Sequence, residues 1–196
     1  MPVIRQQDAP LEEGKAEGIN AELGAYAARL LSDAGGLTQF GAFVETLAPG
    51  SFSSHKHWHE REDEFVYVLS GTVTLNEGDR LTEMWPGDAA TFKAGVPVGH
   101  RLENHSDADA TYLVVGTRSP DDVVHYTDRD LRLTKVNFEK TLTDRAGNPV
   151  RRWAVGKRSY SASFSSSERQ SSARFSSAVF LPSSIRRQPA RILAMR

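Results

Sequence analysis

The sequence predicts an all-β protein, an antiparallel barrel or double-sheet jelly roll, and three observations predict it. Short runs rich in β-branched and aromatic residues recur at close spacing from Leu37 onward. Turn signals separate them at Pro49-Gly50, Asn76–Asp79 and Pro86-Gly87. The apolar residues of a chain that is 39% hydrophobic overall concentrate between Leu37 and Val124. Eight or so such strands pack as two sheets or close on themselves, because each sheet has an apolar face to bury. At 196 residues the chain fits one domain with extensions.

Residues 1–36 read as an N-terminal extension, polar and acidic through residue 19. From Asn20 a short helix is expected: Leu23, Tyr26, Ala27, Leu30 and Leu31 recur at helical spacing, with Asn20 as cap. Gly24 weakens that helix and Gly35-Gly36 would end it. Its apolar stripe would pack on the barrel or on a partner subunit. The barrel then spans 37–130. Strands are expected at Thr38–Leu47, His55–His59, Glu64–Leu69, Thr72–Leu75 and Arg80–Met84. Ala89–Phe92, a loop at Ala94–Gly99, His100–Asn104, a turn at His105–Asp109 and Ala110–Thr117 follow, with His125-Tyr126 as a last edge strand. The histidine pattern does not repeat, which predicts a single barrel and not a tandem pair. Residues 131–150 are a C-terminal extension. The closing segment 151–196 holds 12 serines and 10 Lys+Arg with little periodic pattern, a composition that argues for disorder. Its other reading is a basic arm for nucleic acid or an acidic surface.

Charge narrows the function classes. The net charge of -1 hides an uneven split: residues 1–150 carry 14 basic against 24 acidic side chains, and 151–196 carry 10 against 1. An acidic barrel weighs against a nucleic-acid-binding core. No cysteine is present, so disulfides and thiolate ligands are excluded. The N-terminal residues lack an apolar signal core and no apolar run approaches membrane-spanning length, so a cytoplasmic protein is expected.

The chemistry concentrates between Gly50 and Gly71. His57 and His59 are two apart, and on an extended strand they share a face. A short turn through Glu60–Asp63 brings Glu64 back beside them on the neighbouring strand. Two imidazoles and a carboxylate converging on one point suit a divalent transition metal. The competing reading is a polar edge strand with solvated histidines. An opening H-E-x-x-H zinc motif at His59-Glu60 fails because position 63 is Asp63, and no G-x-S-x-G elbow occurs.

The same run resembles the first motif of the cupin superfamily: a glycine, H-x-H, three or four residues, a glutamate, six residues and a glycine. Here these are Gly50, His57-Trp58-His59, Glu64 and Gly71, with six residues, not five, between Gly50 and His57. The segment Gly87–Asn104 is similar to the second motif, with Lys93 where the family usually has proline and Gly95 kept. Counting forward from Gly95 puts the third histidine at Val98; counting back from Asn104 puts it at His100. A loop two residues longer reconciles the counts at His100, and otherwise the metal has three protein ligands. The resemblance implies a jelly-roll barrel holding a metal by His57, His59, Glu64 and His100, in a small protein that is often a homodimer. Three imidazoles and one carboxylate leave an octahedral ion two open positions, which suits Fe, Mn or Ni; zinc would prefer a tetrahedral set.

Around such a site, Val66 and Val68 are the inward positions after Glu64, and His100, Leu102 and Asn104 share a face. Trp58, Tyr67, Phe92 and Tyr112 are candidate wall or rim residues of a substrate pocket, each also readable as core packing. Glu60, Glu62 and Asp63 are either general-base candidates or a solvated turn, and His55 either an acid–base group at the mouth or a surface histidine. The superfamily includes dioxygenases, isomerases, epimerases, lyases and non-catalytic sensors, so fold leaves the reaction open. Two readings follow: a metal-dependent oxygenase or isomerase acting on a small organic molecule, and a non-catalytic binding or sensing module.

Overall fold

The computed structural model describes residues 3–14 and 20–150; the Ser/Arg-rich segment 151–196 lies outside the described residues. Strands are numbered in chain order, and they pair antiparallel in two sheets. One has six strands in the order β1 (Leu11–Gly14), β2 (Tyr26–Leu30), β3 (Phe40–Leu47), β10 (Ala110–Thr117), β5 (Glu64–Ser70) and β8 (Ala89–Phe92). The other has seven, in the order β13 (Glu139–Thr143), β12 (Arg132–Val136), β11 (Asp122–Tyr126), β4 (His57–His59), β9 (His100–Glu103), β6 (Val73–Glu77) and β7 (Arg80–Met84). Non-consecutive neighbours such as β3–β10–β5 and β4–β9–β6 give the jelly roll that the strand pattern predicts.

Period-two alternation builds the core. In β3 Phe43, Glu45 and Leu47 point inward, and in β10 Ala110, Tyr112 and Val114 do so, opposite Val66 and Val68 of β5. Val73, Met84 and Leu102 close the core from the second sheet. Leu47 and Val68 are fully buried, and each such side chain stabilises the fold by about 1.5–3 kcal/mol. Among these apolar groups sits one polar pair, the Tyr112 hydroxyl donating to Glu45 Oε1 at 2.6 Å. Gly71 turns β5 into β6 at φ +74°, where a Cβ would lie 2.6 Å from the Asp109 carbonyl oxygen. Both facts require glycine at the close of the motif.

Two departures from the sequence reading concern the flanks. The helix expected from Asn20 is instead strand β2, and only Leu31–Ala34 form a single helical turn, α1. Pairing decides this: Tyr26–Leu30 hydrogen-bonds along β3 and buries Ala28 beneath it, a tertiary gain that outweighs weak helical spacing. Gly24, at φ +75° against Ser51, breaks any helix before it starts. The second departure is length. β1 and β2 from the N-terminal stretch lengthen one sheet, and the β12–β13 hairpin from residues 131–150 lengthens the other. Among the described residues no helix is long and apolar enough to cross a membrane.

Candidate metal centre

β4 places His57 and His59 on the inner face of the second sheet. His57 sits directly opposite His100 of β9, with ring centroids 5.0 Å apart, and 5.2 Å separates the His57 and His59 rings. The turn after His59 crosses to the first sheet, where Glu64 opens β5. One ligand atom each of His57, His59 and Glu64 lies within 4.8 Å of the others, and His100 Nε2 is 3.4 Å from Glu64 Oε2. Of the two positions counted for the third histidine, Val98 is an exposed loop residue and His100 is buried at the cluster. His57, His59 and Glu64 of the expected ligand set thus converge, and His100 lies against Glu64 and the His57 ring.

The imidazoles are oriented from behind. His57 Nδ1 donates to the His55 carbonyl oxygen at 2.8 Å, and His59 Nδ1 donates to Asp122 Oδ2 at 2.6 Å. A proton held on Nδ1 leaves the lone pair on Nε2, the atom a metal would take. His100 is fixed by stacking, its ring parallel to Phe92 at 3.6 Å. Burial, followed by the neighbouring His59 and His100, pushes His57 down to about 3, so it is neutral at physiological pH. Burial alone would raise Glu64, but the His100 hydrogen bond and the surrounding imidazoles hold it down to about 2. Burial opposes protonation of His59 as well, yet its hydrogen bond to Asp122 and the charges of Glu64, Asp122 and Glu62 raise it overall. An ionised carboxylate and a neutral His57 suit a divalent cation, which on binding would displace the proton that His100 Nε2 shares with Glu64; the donor set fits such an ion.

His59, Glu62 and Asp122 also converge within 4.8 Å. There the charges are already matched: Lys135 Nζ donates to Glu62 Oε1 at 2.5 Å and the His59 N–H occupies Asp122. That group supports His59 from outside the ligand cluster.

The wall residues divide. Phe92 pairs with Glu64 across β5–β8, and Val66 and Leu102 lie one inward position deeper than Glu64 and His100. Val68 and Tyr112 are deeper still, fully enclosed in the core. Trp58 and Tyr67, expected at the wall or rim, face outward instead. Trp58 alternates with the two histidines and stacks on His125 at 4.2 Å, while Tyr67 alternates with Val66 and Val68 and is exposed. His55 is buried, not a surface residue, with its ring edge-on to Tyr126. The turn carboxylates hold the turn: Glu60 accepts from His125, Asp63 from the Ala94 N–H, and Glu62 from Lys135 and the Ser119 N–H.

Four positions around the cluster are not marked out by the sequence analysis. At the level of Glu64 the facing positions of β10 and β3 are Gly116 and Gly41, so no side chain enters the barrel there. A lone glycine inside a strand pattern signals such a close approach, and would have found both. Tyr126, paired with His57, places its ring 6.1 Å from the His57 ring, and Asp122 anchors His59. Neither carries a local signal, since both lie in a polar segment.

Fold and donor set together define a double-sheet β-barrel with a three-histidine, one-glutamate cluster on its inner face. The family model of the cupin domain matches residues 43–116. A sugar phosphate isomerase of the cupin superfamily from Silicibacter pomeroyi is 37% identical, with TM-score 0.72, over 76% of this chain and 97% of its own. A candidate sugar phosphate isomerase from Acidithiobacillus ferrooxidans is 34% identical, with TM-score 0.60, over 66% and 83%. The polyketide cyclase RemF from Streptomyces resistomycificus is 25% identical, with TM-score 0.51, over 65% and 85%. No curated protein is significantly similar. The chain belongs to the cupin superfamily.

Proposed function

We propose that the chain is a metal-dependent isomerase acting on a small phosphorylated sugar. The observation that carries this reading is its 37% identity over 97% of the Silicibacter pomeroyi sugar phosphate isomerase, joined to a ligand cluster of its own. When bound, a divalent ion such as Fe, Mn, Ni or Zn supplies Lewis-acid polarisation of a carbonyl and its neighbouring hydroxyl. His57, His59, Glu64 and His100 would hold it. Gly41 and Gly116 put no side chain at the level of Glu64, and Phe92 and Val66 give that level an apolar wall. Aldose–ketose isomerisation moves a proton from C2 to C1 and a hydroxyl proton between O1 and O2, consuming no co-substrate.

The test is proton exchange. Metal-loaded protein is incubated in deuterated water with a panel of aldose and ketose phosphates, and loss of the C2 proton signal is followed by NMR. Exchange abolished by His57→Ala supports the isomerase. Metal-dependent oxygen uptake without exchange would move the assignment to an oxygenase. Tight binding of a compound with neither reaction would leave the binding or sensing module.

A further inference from the structure

We propose that Asp122 is a positioning residue of the metal centre, which fixes the tautomer of His59 and so sets metal affinity; this rests on the metal-site reading above. Asp122 opens β11, outside the residues that match the cupin domain, and is 2% exposed. Its two oxygens have different tasks. Oδ2 lies 2.6 Å from His59 Nδ1, and Oδ1 accepts the Arg61 backbone N–H at 2.9 Å. One carboxylate thus grips a ligand and also the turn that carries the chain from that ligand to Glu64. Glu64 faces the ring within the ligand cluster, and the second acid near Nδ1, Glu62, is 3.7 Å from it and is engaged by Lys135. Asp122 is therefore the acceptor. A carboxylate can only accept, so a neutral His59 must carry its proton on Nδ1 and keep the Nε2 lone pair.

The Arg61 N–H makes this testable by a near-isosteric change. In Asp122→Asn the amide oxygen stays with Arg61, and the NH2 group then faces His59 and donates to Nδ1. That forces the proton onto Nε2, the metal-binding atom, the same logic by which an asparagine in place of a triad aspartate imposes the wrong histidine tautomer. Asp122→Ala removes the acceptor without imposing a tautomer. The order of metal affinity is thus wild type, then Ala, then Asn, whereas the order of thermal stability is wild type, then Asn, then Ala. A residue with only a packing role would give the second order in both measurements.

The experiment has two readouts on the full chain. The first is the His59 tautomer in metal-free protein, from long-range 15N–1H NMR at alkaline pH. The second is affinity for Co(II), titrated by visible absorption. Expected are Nδ1–H in the wild type, Nε2–H in Asp122→Asn, and Co(II) binding weakened 10- to 100-fold in that variant. Nε2–H in the wild type overturns the proposal, as does an Asn variant that binds Co(II) as well as the Ala variant or better. Wild-type protein that binds no Co(II) overturns the metal reading and this inference with it. Full Co(II) binding by all three proteins overturns this inference alone.

Discussion

Filling the space at Gly116 tests where substrate sits without touching a metal ligand. Gly116 faces Glu64 across β10–β5, and directly opposed residues have Cβ atoms about 4.5–5.5 Å apart. A valine or leucine there projects into the barrel at the height of the ligand cluster, where Gly41 on the other side offers no competing side chain. The backbone accepts the change: the nearest atom to an added Cβ is the Asp63 carbonyl oxygen at 3.5 Å, an ordinary contact. Glycine in a strand costs roughly 0.5–1 kcal/mol relative to alanine, so Gly116→Ala and Gly116→Val should melt no lower than wild type. Metal content should stay unchanged. Displacing a bound substrate by about 1 Å can cost on the order of 100-fold in rate, so kcat/KM of Gly116→Val should fall at least that far, with Gly116→Ala between. The assay is turnover of whichever sugar phosphate shows C2 exchange, run beside calorimetry and elemental analysis. A Gly116→Leu protein that is folded, metal-loaded and fully active would refute substrate placement beside Glu64.

Three further outcomes are expected. His100→Ala should lower bound metal per chain in elemental analysis, and an unchanged stoichiometry would remove His100, 3.4 Å from Glu64, from the ligand set. Leu47→Ala, at a fully buried position with no link to the cluster, should cost about 2–5 kcal/mol in denaturant unfolding and leave metal binding intact. Glu103 should make the fold acid-sensitive. Burial raises its carboxyl, but hydrogen bonds from Asn76, Arg101 and His105 hold it below the ordinary glutamate range. With the folded value below the unfolded one of about 4.3, its stabilisation is present above that pH and lost as pH falls through the folded value. Melting temperatures of Glu103→Gln should therefore vary less than wild type across that acidic window, and parallel curves would contradict the assignment.

What the sequence discloses depends on how local the cause is. Ala110–Thr117 is legible to the residue because alternation and bounding turns are local, and so are the faces of His57, His59 and Glu64. Tyr26–Leu30 is not, since a few apolar residues fit helical spacing by chance and only the β3 edge decides. β12 and β13 are partly exposed on both faces, so Arg132–Val136 and Glu139–Thr143 have no apolar alternation to detect. The ambiguity over Val98 and His100 is also non-local: the cross-strand pairing of His57 with His100 resolves it. Trp58 and Tyr67 mislead for the opposite reason. Aromatic residues next to ligands suggest a pocket, but parity sends both outward.

The C-terminal strands bear on the site itself. β4 is three residues long and meets β9 at a single opposed pair, His57 with His100. One pair does not hold a strand in register, and a slip by one residue would turn both histidines outward and Trp58 inward. β11 supplies what is missing: Val124, His125 and Tyr126 pair with His59, Trp58 and His57 in turn, and the Glu60 N–H donates to the Val123 carbonyl. β12 in turn pairs β11 along four residues and delivers Lys135 to Glu62. The ligands thus lie in the segment that matches the cupin domain, while their register and the tautomer of His59 are set by residues 122–135 beyond it.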